Sequence, residues 1–523
     1  IFLYFEITDD KNVLTIIECV IAFFDYLETV DEKSFKKCYE NLKLIHKIDN
    51  LYSPEEATDL VVSVVSNLFE AKSKYCINRS NIFPDYTRDI YDTMKNILKS
   101  KKIKVISNIL LTDDIPNLKQ DEFYNVSYWI GNLKVKSEKK YKFDIEETIL
   151  KNMTDIFFEK TPKNICNSIP TEISQNNYWV NKNKYGDAIT SISIVRKNTN
   201  LLYYTHSTMF AIYCGMLQYL YMFELELYAT YNMFFNIYNN GEYYCIDFEG
   251  LDELLENFIN FIYPNIGDKV FEHLKSEYFF EKIKQEFLAD LLNTKMSEAY
   301  QVCNNEFYDI LENITFADKI SFLKTLTMED MKTNFLDYFG STNENIVTIG
   351  KTQYNFKPFK LKQTTTYNLK IQETFDHFVG EESKNIHDKN NCIFYCRCFK
   401  SENIIKLSLM TTILSTILSE KIFTKLRTKD KLGYVVRCVS KKIFINDVLT
   451  TFIIYIIQSS KNIKIVENCI KKFDKNLKIQ LDNGEFKKTF ETIKESKLSN
   501  FLKPSNSLSD EMHFYTNSLM FYN

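Results

Sequence analysis

The sequence predicts an α+β fold of repeated modules, each a sheet packed on helices, with about two and a half copies in the chain. Three observations carry this. Residues 187–350 read as strand, long helix, strand pair, helices and strand. The same order starts again at residue 386, and the segment before residue 111 matches the tail of such a module. At 523 residues there is room for roughly three or four domains, each burying its own core.

Residues 1–8 alternate like a strand, with no positive n-region and no small-residue cleavage site, so the chain is expected to open inside a domain. Residues 12–28 place Ile16, Val20, Phe23, Phe24 and Leu27 on one helical face. Ser53 as a cap, with Pro54 at the first helical position, opens a further helix. Helical patterns run to about residue 100, and the β-branched run 102–111 closes this segment as a strand.

Residues 112 to about 185 are polar and punctuated by proline, as expected of a connection between modules. A strand follows over Asp187–Val195, then a long helix through Phe223 and a hairpin turning at Asn239, Asn240 and Gly241. Helices to about 337 and a strand from Asn345 complete the copy.

Residues 353–385 read as a second connector. Then come the strand "NCIFYCRCF", a helix over 404–427, two strands and the helix "NIKIVENCIKKFDKNL". "FYTNSLMFYN" ends the chain mid-helix, so this copy is expected to be cut short. The expected division is 1–150 (a partial module and connector), 151–352 (a full module), 353–385 (a linker) and 386–523 (a partial module).

Sixty-five basic and 69 acidic side chains are interspersed, for a net charge of −4, so no basic face advertises a nucleic-acid backbone. The longest apolar stretch, from Met209, is shorter than the roughly 20 residues that span a bilayer. The 12 cysteines include no Cys-x-x-Cys pair, the pattern of reduced thiols, and a cytoplasmic location is expected. Cys392, Cys396 and Cys398 share one strand face and are expected to pack there rather than to bind metal.

The six histidines never fall three or four apart, so no helical zinc pair is present. His273 and Glu277 have the spacing of a solvated i, i+4 helix pair, whereas Gly380 between His377 and Glu381 argues against a helix there. No nucleophile elbow and no phosphate-binding glycine loop occur.

"KLRTKDKLGYVV", residues 425–436, allows two readings. In one, Arg427 and the lysines suit the last turn of the 404–427 helix, Gly433 breaks the helix and Tyr434 begins a strand. In the other, the turn brings a guanidinium and a phenol to one place, able to hold a peptide carbonyl or an oxyanion.

"FTKLRTKDKLGYVV" followed by "FIIYIIQSSK" closely resembles the insulinase (pitrilysin) family of zinc metallopeptidases, in the last repeat of its C-terminal half. "IFLYFEITDD" looks like that family's second-module strand, "SIPTE" and "YWVNKNKYGDAITSISI" like the opening of its third module, and "LTMEDMKTNF" with "IVTIGKT" like that module's close. "NNCIFYCRCF" looks like the first strand of the fourth.

The resemblance implies four homologous αβ modules enclosing a chamber in which peptides and small unfolded polypeptides are cut. The zinc motif belongs to the first module, so this chain is expected to match part of module two, module three and part of module four. It would carry no metal site and be inactive alone, zinc coming with an N-terminal half in cis or trans. Carried over by position, Arg427 would contact substrate, Tyr434 would donate to the scissile carbonyl, and Gly433 would bring substrate backbone close. The equivalent turn of the third module reads "LYATY", with Tyr228 where a glycine is expected. A non-catalytic interaction subunit is the alternative.

Overall fold

The computed structural model describes residues 13–52, 57–68, 84–99, parts of 119–130 and 173–183, 189–350 except 275 and 342, 376–382, and 390–522 except 402, 446–447, 504 and 506. The strands expected at 1–8 and 102–111, and the Ser53 cap, lie outside these residues. The chain forms two compact units, Ile1–Thr161 and Pro162–Asn523.

In the first unit, α1 (Val13–Thr29), α2 (Glu32–Tyr52), α3 (Ala57–Leu68) and α4 (Arg88–Lys99) follow the apolar periodicity. α4 is tied back by the Tyr91 hydroxyl, which donates to the Val30 carbonyl at 2.9 Å, and by Arg88 on Glu32 at 2.6 Å. β1 (Lys119–Asp121) and β2 (Val126–Tyr128) form a short hairpin inside the segment read as a connection.

Among the described residues, the second unit holds two sheets of related order. In the first, β3 (Ile173–Gln175), β4 (Tyr178–Asn181), β5 (Ile189–Lys197), β6 (Phe234–Asn240), β7 (Tyr243–Leu251) and β8 (Asn343–Ile349) are ordered β3-β4-β8-β5-β7-β6, with only β4 and β8 parallel. In the second, β9 (Asp376–Glu382), β10 (Asn391–Lys400), β11 (Val436–Ile445) and β12 (Val448–Ser459) are ordered β11-β12-β10-β9, all antiparallel. The run β5-β7-β6 therefore corresponds to β10-β12-β11, and β9, which precedes β10 in the chain, takes the place beside it that β8 takes beside β5. β9 lies within residues 353–385, read as a linker; Gly380 inside it hid the strand pattern.

One face of the first sheet packs on α5 (Tyr204–Leu220), α6 (Met222–Ala229) and α7 (Asp252–Ile262). Ile192, Ile194, Tyr244, Ile246 and Phe248 alternate onto this face. Buried Arg196 also lies there; it donates to Glu344 at 2.6 Å and to the Tyr244 hydroxyl, which in turn donates to the Phe339 carbonyl at 2.6 Å.

The helices after the sheet are α8 (Lys269–His273), α9 (Tyr278–Asn293), α10 (Ala299–Glu312), α11 (Phe316–Thr325), α12 (Met328–Thr333) and α13 (Phe335–Phe339). Thr315 and Thr327 start α11 and α12 with reciprocal capping boxes to Asp318 and Asp330. Glu312, the last residue of α10, accepts the Tyr204 N–H at 2.7 Å and so satisfies a donor at the start of α5.

In the fourth module, α14 (Ile404–Ile422) and α15 (Ile463–Asp482) cover the face bearing Ile393, Tyr395, Ile453, Tyr455 and Ile457. α16 (Lys487–Leu502) and α17 (Leu508–Tyr522) follow.

The opposite face of each sheet is sealed by a helix from the other module. α10 carries Ala299, Cys303, Phe307 and Leu311 onto Cys392, Phe394, Cys396, Phe452, Ile454 and Ile456. α17 crosses β5 and β8, where Met520 packs with Val195 and Cys245. Cys392 and Cys396 are thus core side chains, with Cys398 at the edge of the same cluster, and all ten described cysteines are free. Among the described residues no helix is long and apolar enough to cross a membrane.

Candidate functional site

The segment 423–436 is built as a rigid turn at the end of α14. Asn403 caps α14 by accepting the Lys406 N–H at 2.9 Å, and the α-helix runs to Ile422 before widening into a π-helical turn over Phe423–Lys429. Fully buried Leu426 pins that turn into the core beside Leu432 and Val436. The chain reverses at Lys431, whose φ of 48° lies in the left-handed region.

Three expectations are corrected here. The α-helix stops short of residue 427, the chain reverses at Lys431 rather than breaking at Gly433, and the strand starts at Val436 rather than Tyr434. A Cβ on Gly433 would stand 1.9 Å from the Gln458 carbonyl oxygen, so the missing side chain admits the chain's own strand β12.

That approach is fixed from several sides. The Gln458 N–H donates to the Val435 carbonyl at 2.9 Å, the Ser459 hydroxyl donates to the Leu432 carbonyl, and Lys461 Nζ donates to the Asp430 carbonyl at 3.0 Å. Lys425 pairs with Asp430 at 2.7 Å across the base of the turn.

Arg427 and Tyr434 do come together. The guanidinium carbon lies 4.6 Å from the Tyr434 ring centroid and 4.6 Å from that of Phe423, a cation between two rings. Tyr434 is 83% exposed and Phe423 45% exposed. The arrangement offers a phenolic donor and a guanidinium on one surface, held by backbone that has little freedom to move. Phe423 was missed in the sequence, although its i, i+4 spacing to Arg427 was the available signal.

The third module solves the same close approach the other way round. Its reversal is at Asn232, φ 56°, and the glycine is on the facing strand: a Cβ on Gly250 would lie 2.2 Å from the Met233 sulfur. Tyr228 belongs to α6, its ring 4.5 Å from that of Phe258, so no glycine is needed there.

His273 and Glu277 share no helix face, because α8 ends at His273 and Leu274 is extended. The His273 Nδ1 and Tyr221 hydroxyl instead share a 2.9 Å hydrogen bond. His377 and Glu381 both fall on strand β9. Among the described residues no group of three or more His, Cys, Asp or Glu side chains fits a metal ion.

Residues 413–516, which include this turn, match the family described as PQQ synthase PqqF-like, C-terminal lobe domain 4. Over 230 residues the chain is 23% identical to the insulin-degrading enzyme of Drosophila melanogaster, a match covering 39% of this chain and 22% of that one. The fold is similar to the crystal structure of pitrilysin, with a TM-score of 0.61 at 12% identity over 98% of this chain and 56% of pitrilysin. It is also similar to a protease from Helicobacter pylori, with a TM-score of 0.53 at 13% identity over 68% of this chain and 90% of that one. The chain therefore spans little more than half of pitrilysin and matches about a fifth of the Drosophila enzyme. With two successive modules of related strand order and the Leu-Gly-Tyr turn at the end of α14, the chain is similar to the C-terminal half of insulinase-family proteins.

Proposed function

We propose that the chain is the C-terminal-half portion of an insulinase-type metalloendopeptidase, supplying substrate-binding wall and transition-state contacts. The observation that carries this reading is the exposed Tyr434 phenol held against Arg427 on a clamped turn. Arg427 contacts the bound peptide, and the Tyr434 hydroxyl donates to the scissile carbonyl oxygen as negative charge develops there. Removing one such donor costs about 3 kcal/mol of transition-state stabilisation. Gly433 acts indirectly, by letting β12 hold the turn in place.

Zinc, which the family resemblance places in the complete enzyme, has no donor set among the described residues of this chain. Its ligands would come from an N-terminal half in cis or trans, and the partners would be peptides or small unfolded polypeptides. The free thiols support a cytoplasmic setting.

The test is peptide cleavage by the complete protein, that is, this chain together with its zinc-bearing half. Tyr434→Phe should lower kcat about a hundredfold with little change in KM, and Arg427→Ala should raise KM. If both variants cleave like the parent, the chain is the non-catalytic interaction subunit instead.

A further inference from the structure

The two helix-sealed sheet faces occupy equivalent places in their modules, yet they differ in the charge they carry. Under α10 the face is Cys392, Phe394, Cys396, Phe452, Ile454 and Ile456, with Arg437 and Lys441 of β11 at its side against Tyr300 and Asn304 of the helix. Under α17 the corresponding strands present Ser191, Ser193, Asn236, Tyr238, Asp247 and Glu249, and a cavity of about 320 Å³ remains between sheet and helix. Polar groups carry a cost when taken out of water, so a face that holds carboxylates where its counterpart carries Arg437 and Lys441 calls for a cationic occupant.

Two carboxylates from β7 stand in this cavity, and no lysine or arginine lines it among the described residues. Asp247 accepts the Ser193 hydroxyl at 2.5 Å and bonds Tyr238, which fixes the carboxylate and leaves acceptor capacity toward the cavity. Phe234 and Tyr238 supply ring faces, and His513 on α17 is the one basic group lining the opposite wall among the described residues. Burial raises the Asp247 carboxyl above the ordinary range, as expected of an anion without a full counter-charge.

We propose that the cavity between the third-module sheet and α17 binds a primary ammonium group on an alkyl stem, through Asp247 and Glu249 with Phe234 and Tyr238 beside it. The volume suits such a small group rather than a folded partner. The inference is independent of the Arg427 and Tyr434 turn, which belongs to the other module.

Isothermal titration of the 523-residue chain at pH 8 tests it, with 1,5-diaminopentane and Nα-acetyl-lysine methylamide as separate probes and 1-pentanol as the uncharged control. Saturable one-to-one binding of an amine probe is expected, weakened at least tenfold by Glu249→Gln and by Asp247→Asn, with no binding of pentanol. Preference for the diamine would assign a free amine, and preference for the lysine analogue a peptide side chain. Because Asp247→Asn bears on a buried bond, Ser509→Trp at the exposed rim provides a second block that leaves the charge unchanged. Absence of saturable binding, binding indifferent to Glu249→Gln and Ser509→Trp, or equal binding of pentanol would each overturn the proposal and leave a water-filled cavity.

Discussion

The carbonyl oxygen of Gln458 stands 1.9 Å from where a Cβ on Gly433 would lie, so these two residues set the distance between the 423–436 turn and strand β12. Backbone, unlike the tip of a flexible side chain, has little room to yield. Gly433→Ala should therefore destabilise the chain by about 1–3 kcal/mol, the usual range for overpacking. Calorimetry should show a drop in Tm of several degrees, and an unchanged Tm would refute the close approach.

Tyr434 should behave in the opposite way. Its ring is 83% exposed, so Tyr434→Phe should leave stability within about 0.5 kcal/mol of the parent while affecting cleavage by the complete protein. Denaturant unfolding of the two chains side by side measures this. A large loss would mean that the hydroxyl serves the fold rather than a substrate.

Glu312 provides a pH signature. Burial pushes its carboxyl up to about 7 from an ordinary 4.5, against the opposing pull of the Tyr204 N–H and Lys319. A carboxyl raised on folding favours the folded state when protonated. Its contribution is full below pH 4.5 and lost as pH rises through about 7. That interval corresponds to roughly 3 kcal/mol. Glu312→Gln keeps an acceptor for Tyr204 and removes the titration, so the variant should be the more stable one at pH 8 and lose that advantage near pH 4. Urea midpoints of both chains across this range decide it.

The exchange of helices predicts destabilisation across module boundaries. Phe307 belongs to α10 of the third module, but its ring meets Phe452 of the fourth at 5.3 Å between centroids. Phe307→Ala should cost about 3–5 kcal/mol. Hydrogen exchange should accelerate in β10 and β12 at least as much as in β5 and β7. Acceleration confined to the third module would contradict the exchange.

The repeat was legible because it is written in local patterns. Ile192 and Ile194 alternating with Ser191 and Ser193, and the turn at Asn239 to Gly241, announce β5 and the β6–β7 hairpin without reference to any other part of the chain. The meeting of Arg427 with Tyr434 was legible too, since only seven positions separate them. β9 was not, because Gly380 interrupts its pattern and its place comes from pairing with β10.

By itself the sequence determined the main helices and strands of the repeat, the order in which the module recurs and the presence of a guanidinium and a phenol around one turn. These follow from periodicity and turn chemistry within a dozen residues. Only the tertiary structure decided that Gly433 serves Gln458, that α10 and α17 trade sheets, and that Asp247 and His513 line one cavity. Those relationships join positions far apart in the chain, where the packing of side chains against a distant strand, rather than local preference, sets what each residue does.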